Sequence, residues 1–308
     1  MKKLLFAAFL FTFAFTAFAQ KPKSKDDLFK EIQALLATKK TDDAVKAYPL
    51  AREFVERFGK DDKDEKVKGI KIFVTRFRER QCMIDLDGGR YAEGFKLGKE
   101  ILVEQPENVE VTMNMAYAGY TALSSKGDKT YIDDSLGYAK KTLQMMDGGA
   151  MPKSFVPFKD KDEAGAFMYF VIGNLSLDRD KKEAALNLYK ATLFESQIKA
   201  NSAAYYLIAT CYEDIYAKMA AELKARIDAK KVSDADFNAE SARVGKVIDL
   251  MLDAYARAVK HAETDKNPDL ALWTQRLTQV YKFAKGNETG LTEYIDKVNA
   301  LPMPDPSK

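Results

Sequence analysis

Few side chains in this 308-residue chain are of the types that carry chemistry, and their spacing sorts them. There is one histidine, His261, so no His-x3-His zinc pair occurs, and any Ser-His-Asp triad would have to rest on that one residue. His261 sits in the stretch VKHAETDK near the end of a predicted helix. The negative end of the helix dipole favours a cation there, so a structural role is expected. The two cysteines, Cys82 and Cys211, are too far apart in sequence for a Cys-x2-Cys site. Each falls inside a helical pattern and reads as a small buried hydrophobe, and spacing does not say whether the two pair.

The remaining site-like patterns have simpler readings. Asp87-Gly88-Gly89 and Asp147-Gly148-Gly149 each directly follow a helical run, which makes them helix-stop turns rather than site loops. The acidic run Asp61-Asp62-Lys63-Asp64-Glu65 lacks the alternating ligands of a calcium loop and suits the start of a helix. Asp and Glu elsewhere are placed to pair with lysines one helical turn away. No G-x4-G-K-[ST] phosphate loop occurs, and no G-x-G-x-x-G follows a strand. Asn287-Glu288-Thr289 matches a glycosylation sequon, a short pattern that arises often by chance. The expectation is a non-enzymatic chain with no metal and no cofactor.

Composition and the N-terminus set the context. Lys2 and Lys3 precede an uncharged run from Leu4 to Phe18, which closes on Ala17-Phe18-Ala19. That is the pattern of a secretory signal peptide, residues 1–19, cleaved between Ala19 and Gln20. The run is shorter than the roughly 20 residues that span a bilayer. A periplasmic or secreted protein without stable membrane insertion is therefore expected. The net charge is +3, and two lower without Lys2 and Lys3, which gives no electrostatic case for nucleic acid.

The elements that must position any site are helical. Apolar spacing near 3.6 residues predicts helices over 25–38, 41–58, 63–86, 89–105, 109–125, 131–146, 162–178, 181–198, 201–231, 234–263, 268–285 and 288–300. Gly, Pro and Asn-rich punctuation separates them. Ser233, three residues before Asp236, has the spacing of a capping box. Twelve helices with short connections predict antiparallel neighbours stacked in chain order over 20–308.

Within these helices a repeat recurs. Tyr169, Ile172 and Gly173 are followed at the right distance by Ala185 and Tyr189. Tyr205, Ile208, Ala209 and Tyr212 form a second first-helix signature, and Leu277 and Tyr281 lead to Gly290, Tyr294 and Pro302. Earlier fragments are Ala44 with Tyr48, Cys82 with Gly94 and Pro106, and Met115-Ala116. The chain resembles the tetratricopeptide-repeat family over most of its length. The resemblance implies an all-α, right-handed superhelical solenoid of antiparallel helix pairs. Some thirty extra helical residues, about 213–250, predict one elongated hairpin with arms of roughly 45 Å. Residues 147–162 read as an irregular linker whose Phe155, Val156 and Phe158 pack on the helices.

The resemblance also implies which first-helix positions line a concave groove: Met113, Asn114, Tyr117, Tyr120, Phe167, Phe170, Asn174, Tyr206, Thr210, Glu213, Gln275 and Gln279. Aromatics with amides suit an extended peptide, and the same rings are equally able to seal neighbouring repeats together. This set has no Lys or Arg, which argues against clamping a terminal carboxylate. The expected function is a scaffold for a protein or peptide partner; the alternative is a small-molecule or glycan carrier on the same helices.

Overall fold

A computed structural model describes residues 22–307 of the chain, so the predicted signal peptide and its cleavage point lie outside the described residues. The described residues form thirteen α-helices. The chain divides into two compact units, one ending at Phe77 and one beginning at Arg78.

The first unit contains α1 (Lys25–Ala37), α2 (Thr41–Phe58) and the start of α3 (Glu65–Asp87). Leu28, Ile32, Ala47, Ala51, Phe54, Val67 and Ile70 form its core. Ser24 caps α1 by accepting the Asp27 N–H at 3.2 Å. The acidic run ahead of α3 is tied to lysines: Asp62 to Lys71 at 2.6 Å and Asp64 to Lys25 at 2.7 Å.

The second unit carries the end of α3, then α4 (Tyr91–Glu104), α5 (Val109–Lys126), α6 (Ile132–Asp147), α7 (Lys161–Ser176), α8 (Lys181–Thr192) and the single turn α9 (Gln197–Ala200). It continues with α10 (Ser202–Asp228), α11 (Asp234–Asp265), α12 (Leu270–Lys285) and α13 (Leu291–Asn299). Contacts follow chain order in antiparallel pairs. α5 packs on α6, α7 on α8 and α10 on α11, and the second helix of each pair meets the first of the next.

Small residues make the close approaches. A Cβ on Gly173 would lie 2.6 Å from Leu188 Cγ and 3.0 Å from the Leu188 nitrogen, so α7 and α8 touch at backbone distance. Ala185 and Ala209 are buried in the same core. Gly94 opposes Leu86 across the α3–α4 contact, where the Cys82 thiol donates to the Gly94 carbonyl at 3.4 Å. Gly290 differs from its expected place inside a helix. It precedes α13 with φ +83, a left-handed conformation that glycine adopts freely, and the helix begins only at Leu291.

Both Asp-Gly-Gly sequences stop helices. Gly89 (φ +69) and Gly149 (φ +90) are left-handed, and the following N–H groups close six-residue caps, Arg90 to Asp85 at 2.8 Å and Ala150 to Met145 at 2.9 Å. The run predicted as one helix over 181–198 breaks after Thr192. The break turns Phe194 onto Gly165, 3.2 Å from the position of its Cβ, and beside the Tyr169 ring. In the linker, Phe158 is buried, Phe155 packs on the same cluster, and Val156 stays exposed.

α10 and α11 form a long hairpin, of about 40 Å and about 48 Å at 1.5 Å per residue. Ser233 starts the second arm: its hydroxyl accepts the Asp236 N–H at 3.1 Å and donates to the Asp236 carboxylate at 2.8 Å. The last buried residue of α10 is Ile215 and the first of α11 is Met251; beyond them Met219, Val247, Ile248 and Leu250 are only partly buried against the core.

Candidate functional site

The chemically versatile side chains are structural. Cys82 and Cys211 are unpaired and buried. Burial, with Asp85 nearby, pushes the Cys82 thiol up to about 12, and burial pushes Cys211 up to about 11. Both stay protonated near neutrality and are poor nucleophiles. His261 stacks on Tyr205 with centroids 4.7 Å apart and planes 3° apart. Half-burial and then the Arg257 charge hold its pKa below the ordinary imidazole value. This corrects the expectation of a favoured cation: the ring is held neutral, because desolvation and a nearby guanidinium outweigh the helix end. No cluster of three or more His, Cys, Asp or Glu side chains suited to a metal occurs among the described residues.

The expected groove positions separate into two groups. On α5 and α7, the rings of Tyr117, Tyr120, Phe167 and Phe170, together with Phe158 from the linker, contact one another with centroids 5.2 to 5.9 Å apart. Met113 is fully buried, and Asn114 and Phe170 are buried, so these three present almost no surface to a ligand. Their burial follows from the pairing of α5 with α6 and α7, which turns that stripe inward. One amide donor of Asn114 goes to the Glu110 carbonyl and one of Asn174 to the Phe170 carbonyl, each at 2.9 Å.

The second group lies on α10 and α12. Tyr206 stacks on Trp273 at 4.4 Å, and the Thr210 hydroxyl donates to the Leu207 carbonyl at 2.9 Å. Gln275 is exposed. Glu213 and Gln279 line a cavity of about 260 Å³ between α10, α11 and α12, with Tyr216, Met251, Arg276, Val280 and Phe283. Its polar edge is a connected network. Glu213 Oε2 accepts from the Tyr255 hydroxyl at 2.6 Å and from Arg276 Nε at 3.1 Å. Arg276 also donates to Glu213 Oε1, and its Nη1 donates to Gln279 Oε1 at 3.0 Å. Burial pushes the Glu213 carboxyl upward, but the bonds from Arg276 and Tyr255 outweigh it and hold the group below its ordinary value.

Exposed apolar side chains share the α12 face that carries Arg276 and Gln279, and of these Phe283 also lines the cavity. Phe283 is 63 % exposed and Leu272 is 59 % exposed. Spaced 272, 276, 279 and 283, these residues fall on one face of α12. The Tyr216 and Phe283 rings meet edge-on at 5.7 Å. Arg276 lines this cavity and was not among the positions expected from the sequence. It lies three places from both Trp273 and Gln279, a spacing that already put it on their face of the helix.

Compared with family models, with curated proteins and with solved structures, the chain matches none of them. Among the described residues, no helix is long and apolar enough to cross a membrane.

Proposed function

We propose that this protein is a non-enzymatic, exported scaffold of tetratricopeptide-like helix pairs that binds a protein or peptide partner at the α10–α12 cavity. The observation that carries the reading is the pairing of a fixed polar network, Glu213–Arg276–Gln279, with exposed apolar side chains on one helix face. A peptide presents the matching chemistry, an apolar side chain beside main-chain carbonyls. Three of the five N–H donors of Arg276 are engaged with Glu213 and Gln279, which fixes the guanidinium at the edge of the cavity. The contact of first helices from adjacent pairs, α5 with α7, supports the repeat reading.

The carrier alternative has less support. A cavity of about 260 Å³ is below the roughly 300–1,000 Å³ of small-molecule pockets and suits one or two side chains. Trp273, the largest ring of α12, is buried against Tyr206 and leaves Phe283 as the exposed ring at the cavity.

The test is recovery of partners from the native envelope with the intact protein and with Phe283→Asp, at matched melting temperature. A partner retained by the first and lost from the second is expected; identical recovery by both would remove the cavity from the proposal. Sequencing of the exported protein is expected to begin at Gln20, and a start at Met1 would overturn the export reading.

A further inference from the structure

Lys-Lys pairs occur four times among the described residues, at 39–40, 140–141, 181–182 and 230–231, and the fold treats them differently. An endoprotease takes its substrate as an extended strand, so a lysine in or beside packed helix is reached only when that packing opens. Lys140 directly follows buried Ala139 within α6, and Lys182 stands just ahead of buried Ala184 at the start of α8. Lys39 and Lys40 turn between α1 and α2, about two helical turns from buried Ile32 and Ala47. Single lysines in loops are also close to core: Lys63 is followed by buried Val67, and Lys153 by Phe155 and buried Phe158.

Lys230 and Lys231 stand apart. They turn the α10–α11 hairpin, and from Asp228 to Asp236 every residue but Val232 is exposed. The last buried residue before them is Ile215 and the first after them is Met251, about four and about five and a half helical turns away. Even the partly buried residues packed on the core come no nearer than Met219 and Val247. Lys230 has φ +54, a left-handed conformation uncommon outside glycine, and the Lys231 N–H closes the end of α10 on the Arg226 carbonyl at 2.9 Å. Ion pairs at the tip join Lys224 to Asp228, and Arg226 and Arg243 to Glu240; among the described residues they leave both turn lysines out. Extending this turn into an active site therefore breaks a few helical hydrogen bonds and no buried contact.

The arms are held together well away from the turn. Ile208 and Ala209 of α10 and Leu252 and Tyr255 of α11 are fully buried in one cluster. The Tyr255 hydroxyl donates to Glu213 at 2.6 Å, the Ser202 N–H to Asp265 at 3.2 Å, and Tyr206 stacks on Trp273 at 4.4 Å.

We propose that the Lys230–Lys231 turn is a processing site for a lysine-selective endoprotease, and that the cut chain remains one folded particle. Such an enzyme seats the lysine ammonium on a carboxylate in its specificity pocket. Water adds across the Lys231–Val232 amide: the C–N bond breaks, the hydroxyl joins the Lys231 carbonyl carbon and a proton joins the Val232 nitrogen. The inference does not depend on what the α10–α12 cavity binds.

The test digests the folded full-length chain with limiting trypsin and follows the products by mass spectrometry. The first cut is expected after Lys230 or Lys231, at least about ten-fold faster than at any other lysine or arginine. Both fragments are expected to elute together at the parent volume in size-exclusion chromatography. A first cut elsewhere, a smaller margin, or fragments that separate under native conditions would overturn the proposal. The full-length double variant Lys230→Gln with Lys231→Gln changes only exposed side chains, so its Tm is expected to match the parent. Loss of its intact chain is expected to slow at least about five-fold, and a smaller change overturns the site.

Discussion

Gly173 gives the sharpest test of the packing. Inside a helix, Gly→Ala normally stabilises by roughly 0.5–1 kcal/mol, because the unfolded chain loses freedom that glycine has. At Gly173 the new methyl would stand 2.6 Å from Leu188 Cγ and 3.0 Å from the Leu188 backbone nitrogen. The side chain can rotate, but the nitrogen belongs to α8 and moves only if the helices part. Overpacking of this kind costs about 1–3 kcal/mol, which exceeds the gain. Gly173→Ala is therefore expected to destabilise by about 1 kcal/mol net. Gly245, in α11, has nothing within 4 Å of its added Cβ, so Gly245→Ala is expected to stabilise by about 0.5–1 kcal/mol. Thermal unfolding followed by circular dichroism distinguishes them, since 1 kcal/mol moves Tm by about 2–4 °C in a chain segment of this size. If Gly173→Ala melts at or above the parent temperature, the close α7–α8 crossing is wrong, and with it the small-residue register.

Other outcomes follow from buried groups. Because the folded-state pKa of His261 is depressed, its contribution is complete above the unfolded value near 6.5 and is lost as pH falls from there toward the folded value. The stability of the parent relative to His261→Phe should decline between pH 7.5 and 5; a difference constant with pH would refute it. Arg257→Met leaves Asp253 buried without its partner and should cost about 3–5 kcal/mol by chemical denaturation. The double variant with Asp253→Leu should recover part of that loss, and a single-variant cost under 1 kcal/mol would count against the burial of the Arg257–Asp253 pair. Neither cysteine of the native protein should react with a thiol reagent at pH 8, while two thiols should appear on denaturation; rapid native labelling would contradict their burial.

Helix positions were legible in the sequence because their signals are local. Apolar spacing, the Asp-Gly-Gly stops and Ser233 ahead of Asp236 report on neighbours within a turn or two. The break after Thr192 was not legible, because it is driven by Phe194 reaching Gly165 on another helix. Gly290 misled for a related reason: a glycine at a small-residue position and a glycine that starts a helix look alike until φ is known. The candidate site was half visible. Glu213 and Gln279, named from the resemblance, line the α10–α12 cavity, but Arg276 was passed over because the positions implied by the resemblance held no cation. Met113 and Asn114 show the converse. A stripe that would line a groove in one neighbour arrangement becomes core when α6 and α7 close on both sides of α5.

The outer hairpin has a practical consequence. From Tyr216 to Asp228 and from Asp234 to Leu250 no residue is buried, so about 20 Å of the first arm and about 25 Å of the second are held by helical hydrogen bonds, partial cover and surface charge alone. Opening there is decoupled from global unfolding, and its amide protons should exchange at a free energy well below that of the core. The turn at Lys230 and Lys231 is thus a natural mounting point: a fluorophore or a small domain inserted there rides on a boom and leaves the packed helices beneath it untouched.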